Sequence, residues 1–122
     1  MSTTQEPAFD WSQASSLLGD NPNEVEPDMA AIVRELVEGA EVQFQELKMQ
    51  NPETDRKGIS SLAHALRGCL LNFGFTEVGN LLMHVEKGVY PSGEYAGKID
   101  QAYAVFITSK KLLAARYPSL GI

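Results

Sequence analysis

One histidine in this chain stands among residues that could help it do chemistry. In the segment GISSLAHALRGCLLNFG, residues 58–74, His64 is followed by Arg67 and Gly68 at the third and fourth positions. Imidazole is a competent nucleophile near neutral pH, because its unperturbed pKa is about 6.5. A guanidinium is always charged and offers a fork of donors suited to phosphate oxygens. Glycine inside a helix costs about 1 kcal/mol relative to alanine. A helix accepts that cost where another backbone or a ligand must come close. Residues at these spacings share one helix surface. Together they describe a place where an imidazole could hold a phosphoryl group.

The register of the surrounding helix decides where that group points. Ile59, Leu62, Ala63, Leu66, Cys69, Leu70 and Phe73 fall on one side and form the inward stripe. His64 lands about 170° from the centre of that stripe, so it is expected to face solvent. Ser60, Ser61, Gly68 and Leu71 surround it, with Arg67 at the edge. Leu71 is a large apolar residue on the exposed face, and beside a bare Gly68 it reads as part of a docking surface. Arg56 and Lys57 begin the same helix, which predicts a mildly basic, carboxylate-free strip around His64. Cys69, on the apolar stripe, reads as an inert buried thiol.

Other elements must hold this helix in place. FDWSQASSLL, from Phe9 to Leu18, predicts a short helix capped by Asp10. GDNPNEVEP (19–27) is a break. Met29, Ile32, Val33, Leu36, Val37, Ala40, Phe44 and Leu47 recur at helical spacing until Asn51-Pro52 stops the pattern. The His64 helix opens near Asp55, a helix cap, and runs to about Phe73, where Gly74 interrupts it. A shorter helix fits 76–88, with Val78, Leu81, Leu82 and Val85 inward. After the loop VYPSGEYAG, a last helix runs from about Glu94 to Tyr117 on the stripe Ile99, Ala102, Tyr103, Phe106, Leu113 and Tyr117. No alternating strand pattern appears. The expected fold is all-α: an antiparallel up-down four-helix bundle with a short extra N-terminal helix. Residues 1–8 read as a flexible tail, and 9–122 as one domain.

Composition narrows the functions available. A chain of 122 residues fits one domain. Its 43% hydrophobic and 21% charged residues suit a folded domain and exclude a disordered one. The formal net charge of −6 argues against nucleic acid or an anionic membrane as the main partner. The single cysteine excludes an internal disulfide and a cysteine-based zinc site. The opening MSTTQEPAFD lacks the basic and apolar regions of a signal peptide, and no apolar run approaches the ~20 residues of a membrane span. A cytoplasmic protein is expected.

The segment AHALRGCLLNFGFTEVGNLLMHVE (63–86) resembles the histidine-containing phosphotransfer (HPt) domain. That family's pattern is His, any residue, Leu, Lys or Arg, Gly, then a Gly six residues later and a helix of spaced apolar residues. Here it reads His64, Leu66, Arg67, Gly68 and Gly74, then Val78, Leu81, Leu82 and Val85. FDWSQASSLLGDNP looks like the lead-in helix common in these domains, so the resemblance covers nearly the whole chain. Arg67 stands where Lys is commoner, Cys69 and Leu70 replace smaller residues, and Phe75 replaces a frequent Ala.

The resemblance implies a phosphorelay intermediate. His64 would accept a phosphoryl group from an aspartyl phosphate on a response-regulator receiver domain and pass it to another receiver. Arg67 would screen charge on the phosphoryl oxygens, and Gly68 would leave room for the partner. Ser60, Ser61 and Leu71 would line the partner surface. The protein would be a monomeric phosphoryl carrier and no enzyme, with no ATP-dependent autokinase activity. It would need no cofactor of its own, since Mg²⁺ would sit in the receiver. A hybrid sensor kinase is a further expected partner.

Two other readings compete. One is a non-catalytic helical interaction module using the exposed Gly68/Leu71 surface. The other is a small hydrolase with His64 as general base, which needs a nucleophile or an orienting carboxylate, and only Ser60 and Ser61 lie on that face. His84, outside its helix's apolar stripe, reads as a surface residue. A metal pair with His64 lacks a converging carboxylate cluster.

Overall fold

A computed structural model describes residues 7–122. Among the described residues there are five α-helices and no strand. They are α1 (Trp11–Leu18), α2 (Pro27–Met49), α3 (Arg56–Leu71), α4 (Thr76–Lys87) and α5 (Tyr95–Arg116). Short 3-10 turns at Ser92–Glu94 and Pro118–Leu120 flank α5. Most of the expected tail, residues 1–6, lies outside the described residues. At its end Ala8 is tied to the start of α4: its N–H donates to the Glu77 carboxylate at 2.9 Å, and its carbonyl accepts the Glu77 N–H at 3.1 Å.

The helix starts follow local chemistry. The Asp10 carboxylate accepts the Gln13 N–H at 3.1 Å, and the Asp55 carboxylate accepts the Gly58 N–H at 2.9 Å. Each thereby satisfies one of the donors a helix start leaves unpaired. Pro27 opens α2, where its missing N–H costs nothing. Gln50 is extended before Asn51-Pro52, so α2 stops there.

Packing closes a ring of helices. α3 lies against α4, α4 against α5, and α2 against both α3 and α5. Phe44, Phe75 and Phe106 are fully buried at the centre, with Phe106 ring centroids 5.3 Å from Phe44 and 5.8 Å from Phe75. Phe9 reaches Phe75 at 5.0 Å and so joins the N-terminal segment to this aromatic core. α3 and α4 run antiparallel, since Leu71 meets Gly79 at one end of the pair while Ser60 and Arg67 meet Glu86 at the other. A methyl at Gly79 would run into the Leu71 side chain, so glycine permits the close approach of these two helices.

Gly74 makes the turn between them. Its φ of +93° lies outside the range that L side chains readily adopt. The Phe75 N–H reaches back to the Leu70 carbonyl at 3.1 Å and the Gly74 N–H to Leu71 at 3.2 Å, closing a Schellman-type helix end. The Gly74 carbonyl then accepts the Asp10 N–H at 2.8 Å, which docks the start of α1 onto the turn.

The inward stripe of α3 needs one correction. Ile59, Ala63, Leu66 and Leu70 are buried, and Leu62 and Phe73 are partly so, but Cys69 is an exposed free thiol. Cys69 sits about 70° from the stripe's centre by helical geometry. α4 covers the opposite flank of α3, the one bearing Arg67 and Leu71, so the Cys69 edge stays open.

Candidate functional site

α3 presents His64 to solvent at mid-helix, its side chain 68% exposed. The imidazole is not free to rotate. Its Nδ1 lies 3.0 Å from Oε2 of Glu86, which α4 brings across the seam. The other Glu86 oxygen, Oε1, accepts from Arg67 through Nε at 3.1 Å and Nη2 at 2.9 Å. One carboxylate thus holds the histidine with one oxygen and the arginine with the other. The Ser60 hydroxyl donates to the Glu86 backbone carbonyl at 2.9 Å and fixes the end of α4 beside the site.

Glu86 is the residue that sequence reasoning missed, and it corrects the expected carboxylate-free basic strip. Arg67 is neutralised by Glu86. Arg56 is turned away, with its guanidinium over the Tyr95 ring at 5.4 Å and its Nε donating to the Pro52 carbonyl at 3.1 Å. One signal could have pointed to Glu86. It directly follows inward Val85 and lies four residues after inward Leu82, so it occupies the flank of the α4 stripe. The same flank carries Gly79, seven residues earlier, against which Leu71 packs.

The carboxylate is only 13% exposed. Its burial raises the Glu86 pKa, but hydrogen bonds from His64 and Arg67, reinforced by their charges, outweigh burial and hold it below the ordinary glutamate value. Glu86 is therefore ionised near neutral pH and can only accept hydrogen bonds. That settles the competition at Nδ1, which also has Arg67 Nη2 at 3.3 Å. The ionised oxygen is nearer and has no proton to give, so Nδ1 carries the hydrogen. In a neutral imidazole with that tautomer, Nε2 is the nitrogen that keeps the lone pair.

A lowered folded-state pKa fixes the direction of the pH dependence. The stability that Glu86 contributes is present above the ordinary glutamate value and is lost as pH falls through the lowered one. The stability gap between the wild-type chain and Glu86→Gln, read from urea midpoints, is expected to shrink as pH drops below about 4. A gap that stays constant from neutral pH down to about 3 would contradict the ionised pairing.

The remaining expected site residues are placed as follows. Gly68 is exposed one turn after His64, and a methyl there would meet nothing within 4 Å. Ser61 is exposed on the same side of α3. Leu71 is 37% exposed and shares its side chain between solvent and the Gly79 seam. Ser60 is half-buried, with its hydroxyl committed to the Glu86 carbonyl. His84 is exposed on α4. Among the described residues, no group of three or more His, Cys, Asp or Glu side chains is placed to hold a metal ion, and no cavity adjoins His64.

The arrangement is a nucleophilic nitrogen on an open helix face, oriented from behind by an ionised carboxylate. It suits a reaction in which the partner supplies the rest of the site. No family model matches this chain, and neither a curated protein nor a solved structure does.

Proposed function

We propose that this chain is a phosphorelay intermediate of the histidine-containing phosphotransfer type, with His64 as the phosphoryl acceptor. One observation carries the reading: His64 is exposed on α3 while its Nδ1 is bonded to Glu86, so Nε2 points at whatever docks there. Nε2 attacks phosphorus in the aspartyl phosphate of a receiver domain. A P–N bond forms, the acyl P–O bond breaks, and the receiver's carboxylate leaves. The imidazole becomes positively charged as its lone pair is used. The Glu86 carboxylate beside Nδ1–H stabilises that charge without taking the proton, as a buried aspartate does for the histidine of a hydrolytic triad. Transfer onward to a second receiver reverses the same bonds.

Phosphoryl transfer depends mostly on positioning and charge neutralisation. The receiver supplies the acidic pocket and Mg²⁺, and the chain itself supplies no cofactor. Exposed Gly68 lets the partner's backbone approach His64, and Ser61 and Leu71 lie within the same contact. Arg67, held by Glu86, sits one turn from His64 as the nearest cation for phosphoryl oxygens. The four longer helices are read as an antiparallel up-down bundle, with α1 as the lead-in helix. The carrier is monomeric and cytoplasmic, has no ATP-dependent autokinase activity, and takes receiver domains and a hybrid sensor kinase as its partners. Nucleic acid and membranes are not among them.

A hydrolase now has the orienting carboxylate it needs, but Ser60 spends its hydroxyl on a backbone carbonyl and no cavity adjoins His64 among the described residues. A carrier needs neither nucleophilic serine nor substrate pocket. The direct assay mixes the purified chain with phosphorylated receivers from its own cell. Acid-labile, base-stable label is expected on the wild-type chain and none on His64→Gln. Failure to label from every receiver would overturn the reading in favour of a non-catalytic interaction module on the Gly68/Leu71 face, and equal label on the variant would overturn His64 as the acceptor.

A further inference from the structure

α2 has an outward face that, among the described residues, no other element covers. Of the five large hydrophobic side chains that stand in solvent among the described residues, three lie on this one helix: Ile32 (48% exposed), Val42 (58%) and Met49 (83%). With Gly39 between them they occupy about 100° of arc, on the side opposite the buried Val33, Val37, Phe44 and Leu47. A methyl at Gly39 would meet nothing within 4 Å, so the middle of this path is flat and open. From Ile32 to Met49 the path is about 25 Å long, or close to five helical turns.

The charges beside the path are all of one sign. Asp28, Glu35, Glu38 and Glu46 are exposed on the same face, and no lysine or arginine is. None of the four takes part in an ion pair among the described residues. Both cations of α2 are turned away from the path: Arg34 donates to the Leu120 carbonyl at 2.9 Å, and Lys48 lies 3.7 Å from Asp100 and over the Tyr103 ring.

This pattern selects among occupants. A second copy packed face to face would set four carboxylates against four, across an interface that excludes water. An anionic lipid surface would meet the same repulsion. A helix with an apolar stripe and basic flanks satisfies both features, burying Ile32, Val42 and Met49 while its cations meet the carboxylates. We propose that the outward face of α2 is a docking surface for a basic amphipathic helix of about five turns from another protein. The site lies on a different helix from His64 and does not depend on phosphotransfer.

The probe is a synthetic 18-residue peptide with a leucine stripe flanked by lysine and arginine, titrated into the ¹⁵N-labelled chain. Amide shifts are expected to fall on residues 28–49. Affinity should weaken at least about tenfold from low to half-molar salt, since screening removes the charge term. The variant Glu35→Lys/Glu38→Lys/Glu46→Lys should lose at least about tenfold in affinity, because its flanks now repel the peptide's. Its spectrum for α3 and α4 should stay native, because all three positions are in solvent. Shifts centred elsewhere, equal binding by a scrambled peptide of the same composition, or salt-independent binding would overturn the proposal. So would sedimentation showing a dimer that is lost in Val42→Asp, which would assign the face to a second copy.

Discussion

Glu86→Gln is expected to slow phosphorylation of His64 by on the order of 100-fold while leaving the helices intact. The two side chains have the same shape, so packing against α3 is preserved. What changes is what the group can tell the imidazole. An ionised carboxylate can only accept, so it holds the hydrogen on Nδ1 and leaves Nε2 free. An amide can also rotate and donate to Nδ1, which moves the hydrogen to Nε2 and blocks the outward lone pair. It also offers no counter-charge to the imidazolium that forms during attack. In a hydrolytic triad the matching change costs about 10⁴-fold, and groups that orient a histidine ligand typically cost 10–100-fold. An exposed site lies nearer the smaller figure, because water screens part of the charge. Glu86 acts through His64, so it is a positioning residue. Nitrogen chemical shifts of His64 in the variant should show loss of the single tautomer. A structural role alone would leave the tautomer unchanged and slow transfer only in proportion to unfolding.

Gly74→Ala is expected to destabilise the chain by about 3 kcal/mol, the sum of a left-handed backbone penalty and a steric clash. At φ +93° any L side chain is strained. The added methyl would also lie 2.7 Å from the Asp10 carbonyl oxygen and 2.9 Å from the Phe9 ring. Relief would require moving the segment that carries Phe9 against Phe75 and the Asp10 cap of α1. The urea midpoint should fall with little change in slope. Gly68→Ala is the contrast. It is helical, exposed and open, so alanine there should raise stability by up to about 1 kcal/mol. Equal effects at the two positions would show that the turn geometry at Gly74 is not what requires glycine there.

The helices and the exposure of His64 were legible because they depend on one periodicity. An apolar stripe every three or four residues sets both the length of α3 and the direction His64 faces. The Asp10 and Asp55 caps were legible for a similar reason, since each acts within one turn. Glu86 was not, because it is 22 residues from His64 and its meaning depends on how α4 is rotated against α3. Gly79 permits that rotation by letting Leu71 lie over it. A sequence pattern shows that Gly79 and Leu71 exist, but not that they meet. Cys69 failed for the opposite reason. It belongs to the periodic stripe but sits at its edge, and burial there is decided by which flank the neighbouring helix covers.

Glu86 holds Nδ1 of His64, and Nε2 as the proposed acceptor is tested most directly by finding which nitrogen carries phosphorus. The ¹⁵N-histidine-labelled chain can be phosphorylated with phosphoramidate, in which the P–N bond to ammonia breaks as the new one forms, and then observed by phosphorus–nitrogen correlation. A single phosphohistidine, bonded through Nε2 of His64 and absent from His64→Gln, is the expected result. Phosphorus on Nδ1, or on His84 in place of His64, would contradict it.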